Sequence, residues 1–193
     1  MTPHARPIVV SLLCLSLGAC AFTPHDVSVQ PTTTIAPSTV GAGTTVYFRF
    51  IDDRDDTSVG VRGAAGQGST ISAQSLPTTV ESQLRQGMEK KGYALAASEQ
   101  GSVGTVTFRM RSFKFAVETG FWAGSDNVSA VLAVDALRSG RTYSNVYRFN
   151  SKHTAMVVPA GTDIDAMMNA ALSDILQQAL SDSALDQFLV HKS

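Results

Sequence analysis

The chain has 193 residues, with 15 Lys+Arg against 16 Asp+Glu; 44% of it is hydrophobic and 16% charged. That much apolar mass excludes a disordered chain and fits one domain with an ordinary core. The net charge of −1 lacks the basic surplus that nucleic-acid phosphates require, and two cysteines are too few for a disulfide framework or a zinc site.

Met1 to Pro7 carries Arg6 and no acid, and an apolar run of ten residues follows from Ile8 to Leu17. As a helix it covers about 15 Å, half of a ~30 Å hydrocarbon core, so it has the proportions of a secretory signal rather than a span. It ends in Leu17-Gly18-Ala19-Cys20, which resembles the bacterial lipoprotein signal. Small residues let a peptidase approach the scissile bond, and the thiol then carries lipid. Residues 1–19 are expected to be a lipoprotein signal peptide and Cys20 the lipidation site; the plain alternative is a secretory peptide with an incidental cysteine. Each acyl methylene adds about 0.8 kcal/mol of membrane affinity, so two or three chains anchor a protein almost permanently. By analogy with lipoprotein sorting, Ala21 in place of Asp after the cysteine points to the outer membrane, with the domain facing the periplasm.

Pro24, Pro31, Pro37 and the run Thr32-Thr33-Thr34 make residues 20–43 read as a lipidated cysteine followed by a solvated tether, His25 and Asp26 included. A single domain is expected over 44–193. Val46, Phe48 and Phe50 alternate with polar residues as in a strand with one buried face. Asp52-Asp53-Arg54-Asp55-Asp56 ends it as a charged turn, and the glycine-rich stretch from Val59 to Gly68 reads as a loop or irregular edge strand. Leu76 to Lys91 predicts a helix, with Pro77 in its first turn, Val80, Leu84 and Met88 on one face, and Gly92 as its stop. Lys90 and Lys91 read as complements to its dipole.

Three long strands are then expected. In the first, Val106, Phe108 and Met110 are in one apolar phase and Phe113, Phe115 and Val117 in the other, which predicts a bulge near Arg111-Ser112. Val128 to Leu137 reads as a central strand, Ser139-Gly140 as a hairpin turn, and Thr142 to Val157 as the third strand, carrying Tyr143, Val146 and Phe149. Thr162 or Asp163 is expected to cap a helix whose apolar face runs from Ile164 through Met168, Leu172 and Ile175 to Ala179. Ser181 to Ser183 breaks it before a last helix from Ala184 to Val190. The expected fold is α+β: a mostly antiparallel sheet with long central strands and helices packed on one face.

These features, in this order, resemble the YajG-type family of bacterial lipoproteins. The likeness rests on Cys20 with its Thr/Pro segment, the Asp53-Arg54 turn with Gly60 after it, and Val80, Leu84 and Met88 leading into Gly92-Tyr93. It continues through Ala170-Ala171-Leu172-Ser173-Asp174-Ile175-Leu176 and Ser181-Asp182. The resemblance implies an envelope lipoprotein without an established enzymatic activity and transfers no catalytic residues.

No constellation in the sequence carries catalysis. His153 beside Ser151 and Lys152 forms neither a triad nor a metal shell on sequence grounds, and the acids of Asp52 to Asp56 lack the alternation of a calcium loop. Phe121-Trp122, between Gly120 and Gly124, places apolar bulk at an expected loop tip. It is read either as a partner or membrane contact or as a cap folded onto the core. Arg109, Arg111 and Lys114 are read as a basic strand face. The functional expectation is a non-catalytic, outer-membrane-anchored lipoprotein acting as an envelope accessory or interaction module. It would need no cofactor and no metal, with the membrane and an envelope protein as partners and no nucleic acid. The alternative is a module that binds a small ligand or lipid.

Overall fold

Val46, Phe48 and Phe50 do face a core, on strand β2 (Thr45–Asp52), with Val46 and Phe48 buried. The computed structural model describes residues 23–63, 68–119, 124–155 and 160–191. The other elements are β1 (His25–Asp26), β3 (Ser58–Arg62), β4 (Ser69–Ser72), α1 (Leu76–Lys90), β5 (Ala94–Ala96), β6 (Gly104–Thr119), β7 (Gly124–Arg138), β8 (Arg141–Ala155), α2 (Gly161–Leu180) and α3 (Ser183–Val190).

The strands form one eight-stranded sheet. β6, β7 and β8 make a long antiparallel meander in which Thr105 pairs with Leu137 and Gly124 with Ala155. The other edge of β6 is shared: β2 lies parallel to its first half, Val46 beside Gly104, and β3 parallel to its second half, Gly60 beside Phe115. β5 and β1 add parallel edges to β2 and β4. The sheet is therefore mixed, and the expected antiparallel pattern holds only for the meander and the β3–β4 pair. Helix α1 lies between β2 and its neighbours in the chain, and such a crossover returns the chain parallel; strand periodicity carries no information on this.

The bulge falls where the apolar phase slips, the β6–β7 register shifting between Met110 and Ser112. The shift keeps Met110 and Phe113 on the same face, both fully buried. In β8 the inward residues are Tyr143, Tyr147 and Phe149, whereas Val146 stands opposite Ala133 on the other face. Ser139 and Gly140 both have positive φ, 49° and 75°, as the tight hairpin turn requires. The apolar face of α1 (Val80, Leu84, Met88) and that of α2 (Ile164, Met168, Leu172, Ile175) close the core over one side of the sheet. Helix α2 starts at Gly161, so its cap position is Ala160 rather than the expected Thr162 or Asp163; Asp163 is its third residue and its carboxylate accepts from Ala160 N at 3.2 Å.

Gly60 has a structural role of its own. A Cβ there would stand 2.1 Å from the Phe115 carbonyl oxygen, so only glycine lets β3 reach β6. Gly60→Ala is expected to cost about 2 kcal/mol through strain at this joint, read as a lower urea midpoint. An unchanged midpoint would show that β3 can move away without loss.

The segment read as a tether is docked from His25 onward. β1 pairs with β4, and Val27 and Val29 are 1% and 6% exposed. Proline and threonine made this stretch resemble a linker, yet Val27, Val29 and Pro31 have the alternation of an edge strand.

Candidate functional site

Three polar constellations stand out, and the first fixes the docked segment. Along α2, Asp165, Asn169, Ser173 and Gln177 recur every four residues and so share one face. Opposite them Ser28, Gln30, Thr32 and Thr34 recur every two along an extended chain. Two extended residues advance about 6.6 Å and four helical residues about 6.0 Å, so the two periods keep step. The backbone N–H of each of these four residues finds a side-chain acceptor: Ser28 on Asp165 at 3.3 Å, Gln30 on Asn169 at 2.6 Å, Thr32 on Ser173 at 2.8 Å and Thr34 on Gln177 at 2.8 Å. Asn169 Nδ2 and Gln177 Nε2 donate back to the carbonyls of Ser28 and Thr34. His25 closes one end on Asp165 at 2.7 Å. Ser38 N and Gly41 N close the other on the carbonyls of Lys90 and Lys91.

The second constellation joins the ends of the three helices. Lys91, 6% exposed, donates to the Leu180 carbonyl at the end of α2 and pairs with Asp186 of α3, both at 2.6 Å. Tyr93 Oη donates to the same Asp186 oxygen at 2.9 Å; burial and then that carboxylate push its phenol well above the usual range, so it stays a donor. Lys91 is thus an internal bridge rather than a solvated dipole partner. Beside it, Asp182 caps α3, accepting from Ala184 N at 2.9 Å and Leu185 N at 3.2 Å. Its other oxygen accepts from Tyr143 Oη, Tyr147 Oη and Asn145 Nδ2. Burial opposes the charge, but the donors outweigh it and hold Asp182 at about 2. Burial and that carboxylate raise Tyr143 to about 12 and Tyr147 further. A surface groove of about 330 Å³ opens next to this cluster, lined by Arg141, Tyr143, Phe188 and His191 among others. Arg141 lies over the Phe188 ring at 5.9 Å.

The third constellation adds Asp126, which the sequence did not point to, to the Ser151 and His153 pair. On the helix-facing side of β7 and β8, His153 stands opposite Asp126, and Ser151 Oγ lies 2.9 Å from His153 Nε2. Asp126 is 3% exposed, and burial pushes its carboxyl above the usual range. Its Oδ1 is buried and has no hydrogen-bond partner among the described residues. The order Asp126, Ser151, His153 follows from strand register alone, which no spacing rule would have found.

At the acidic turn, Arg54 folds back on Asp52, Nε to Oδ1 at 2.7 Å and Nη2 to Oδ2 at 2.8 Å. The turn is a local ion pair, with the Arg54 side chain 3% exposed. Among the described residues no group of three or more His, Cys, Asp or Glu is placed to hold a metal. The face of the sheet away from the helices carries Arg49, Arg109, Lys114, Arg148 and Lys152, against Asp135 and Glu118. Arg109 pairs with Asp135 at 3.5 Å and Lys152 with Glu118 at 2.6 Å; Arg111 is exposed at the bulge. Cys20, Phe121 and Trp122 lie outside the described residues. Among those described, no helix is long and apolar enough to cross a membrane.

No curated protein matches the chain by sequence. Among solved structures it is similar to protein XCC0632 from Xanthomonas campestris, at 16% identity and a TM-score of 0.52, covering 86% of this chain and 97% of that one. It is also similar to a neuraminyllactose-binding hemagglutinin homolog from Helicobacter pylori, at 12% identity and a TM-score of 0.54, covering 82% and 96%. At such identities the likeness shows a shared fold. A family model described as uncharacterized lipoprotein matches residues 31–190, which include α1, the whole meander and α2 with its polar ladder. The chain belongs to that family of uncharacterized lipoproteins, the YajG-type family its motifs resemble.

Proposed function

We propose that this protein is a non-catalytic lipoprotein, anchored through Cys20 in the outer membrane with its domain in the periplasm, where it acts as an envelope accessory that binds another protein. The observation that carries the interaction is the open sheet face. Helices cover one side of the sheet, and the other presents Arg49, Arg148 and Lys114 beyond its ion-paired cations, a flat surface complementary to an acidic protein face. Charge reversal by Arg49→Glu with Arg148→Glu is expected to abolish cross-linked adducts in intact envelopes, while Arg49→Lys with Arg148→Lys retains them. Adducts that survive reversal would move the contact elsewhere, Phe121 and Trp122 being the next residues to change.

The anchor has its own test. Cys20→Ala is expected to yield an unacylated chain by intact mass and to lose the outer-membrane fraction, whereas the native chain begins at an acylated Cys20. A native chain without acyl mass, cut elsewhere, would overturn the anchor.

A second reading, small-ligand binding, is favoured by the groove beside Asp182. Arg141 and the Phe188 ring there suit a ligand with an anionic group on an apolar or aromatic body. Arg141→Ala would weaken such binding in calorimetry without changing the fold.

A further inference from the structure

The docked segment changes what the anchor permits. From His25 to Thr34 the chain is fixed to β4 and α2, and from Ser38 to Gly41 to the end of α1. Only residues 21–24 separate Cys20 from that fixed chain. The steps from Cys20 to His25 span at most about 18 Å when fully extended. A free tether over the whole of 20–43 would have reached several times further.

Topology identifies the end of the domain on this short leash. Gly161, which opens α2, is so close to His25 that a Cβ on it would stand 2.9 Å from the imidazole Cε1. Thr119 pairs with Gly124 and Gly124 with Ala155, so β6 and β8 finish at this end. β3 runs parallel to β6, which brings Arg62 toward it as well. The Ser139-Gly140 turn lies at the opposite end of β7, whose 15 residues extend about 50 Å. The groove lined by Arg141 and Phe188 lies toward that far end.

We propose that the domain sits directly on the lipid headgroup surface of the membrane that holds Cys20, its His25, Gly161 and Thr154 end against the bilayer and its Ser139-Gly140 turn pointing away. The inference rests on the lipid-anchor reading and replaces a swinging tether with a fixed mount. The far-end groove and the length of the basic sheet face then stand clear of the lipid, at a set height, for a partner approaching from the side or above.

The test uses the full-length acylated protein in vesicles of phosphatidylethanolamine and phosphatidylglycerol containing a headgroup-quenching lipid. A fluorophore is placed on Thr154→Cys or on Ser139→Cys. Quenching is expected to be severalfold stronger at position 154 than at 139. A Gly/Ser spacer of about 20 residues inserted between Thr23 and Pro24, with an r.m.s. length of about 25 Å, is expected to remove most of that difference while acylation is retained. Equal quenching at both positions, or a spacer without effect, overturns the mount. Intact mass and flotation distinguish the two failures. A chain that lacks acyl mass and does not float overturns the anchor and the mount together, whereas an acylated, floating chain with an unquenched position 154 overturns the mount alone.

Discussion

Lys91→Ala is expected to lower the stability of the domain by about 3–5 kcal/mol, the range found when one partner of a buried ion pair is removed. The lysine bridges the end of α1 to the Leu180 carbonyl and to Asp186. Its loss leaves that carbonyl without its donor and Asp186 with Tyr93 Oη alone on the shared oxygen. Both atoms are shielded from water, so the cost is desolvation without compensation. In urea the midpoint should fall by about 2 M for a domain with an m-value near 2 kcal/mol/M. Lys91→Met combined with Asp186→Leu removes both charges and is expected to recover most of the loss. A single substitution costing under about 1 kcal/mol would mean that water reaches the pair, since only exposed pairs are worth so little.

Asp182→Ala is expected to cost about 2–4 kcal/mol, combining a lost helix cap with two tyrosine hydroxyls left without their acceptor. The pH dependence separates charge from cap. The folded-state value of Asp182 is about 2, below the ordinary carboxylate value of 3.8. A depressed carboxylate stabilises the fold fully above its unfolded value, and that stability is lost as pH falls through the folded one. The site is only partly buried and solvent screens the effect, so about 1–2 kcal/mol should disappear between about pH 5 and pH 2. Asp182→Asn keeps one acceptor oxygen, for the cap, turns its amide NH2 toward the tyrosine hydroxyls and has no charge to lose, so it should flatten the stability curve over that window. An equally steep curve in Asp182→Asn would assign the acid sensitivity to other carboxylates.

The two sites differ in how they could be read beforehand. Asp182 lies in Ser181 to Ser183, where the sequence already placed a helix break, and Asp is a favoured cap, so a cap was within reach of the sequence. Tyr143 and Tyr147 as its donors were not, because they arrive on β8 from a distant part of the chain. Lys91 gave a misleading signal: a lysine in the last turn of a helix normally complements the dipole in water. Here α2 and α3 end over it, and burial turns the same residue into an internal bridge.

By itself the sequence determined what local periodicity determines. It placed α1 by Val80, Leu84 and Met88, α2 by its Ile164 to Ala179 face, and the β6 bulge by one slip of apolar phase at Arg111-Ser112. It also supplied the family, whose model matches residues 31–190. Tertiary structure alone decided what depends on residues far apart in the chain. It set β2 and β3 parallel to β6 within a sheet expected to be mostly antiparallel, since pairing direction follows from the path of the crossover and not from alternation. It also made a strap of an expected tether. The acceptors for Ser28, Gln30, Thr32 and Thr34 come from a helix some 140 residues later, and two unequal periods match only when strand and helix lie side by side.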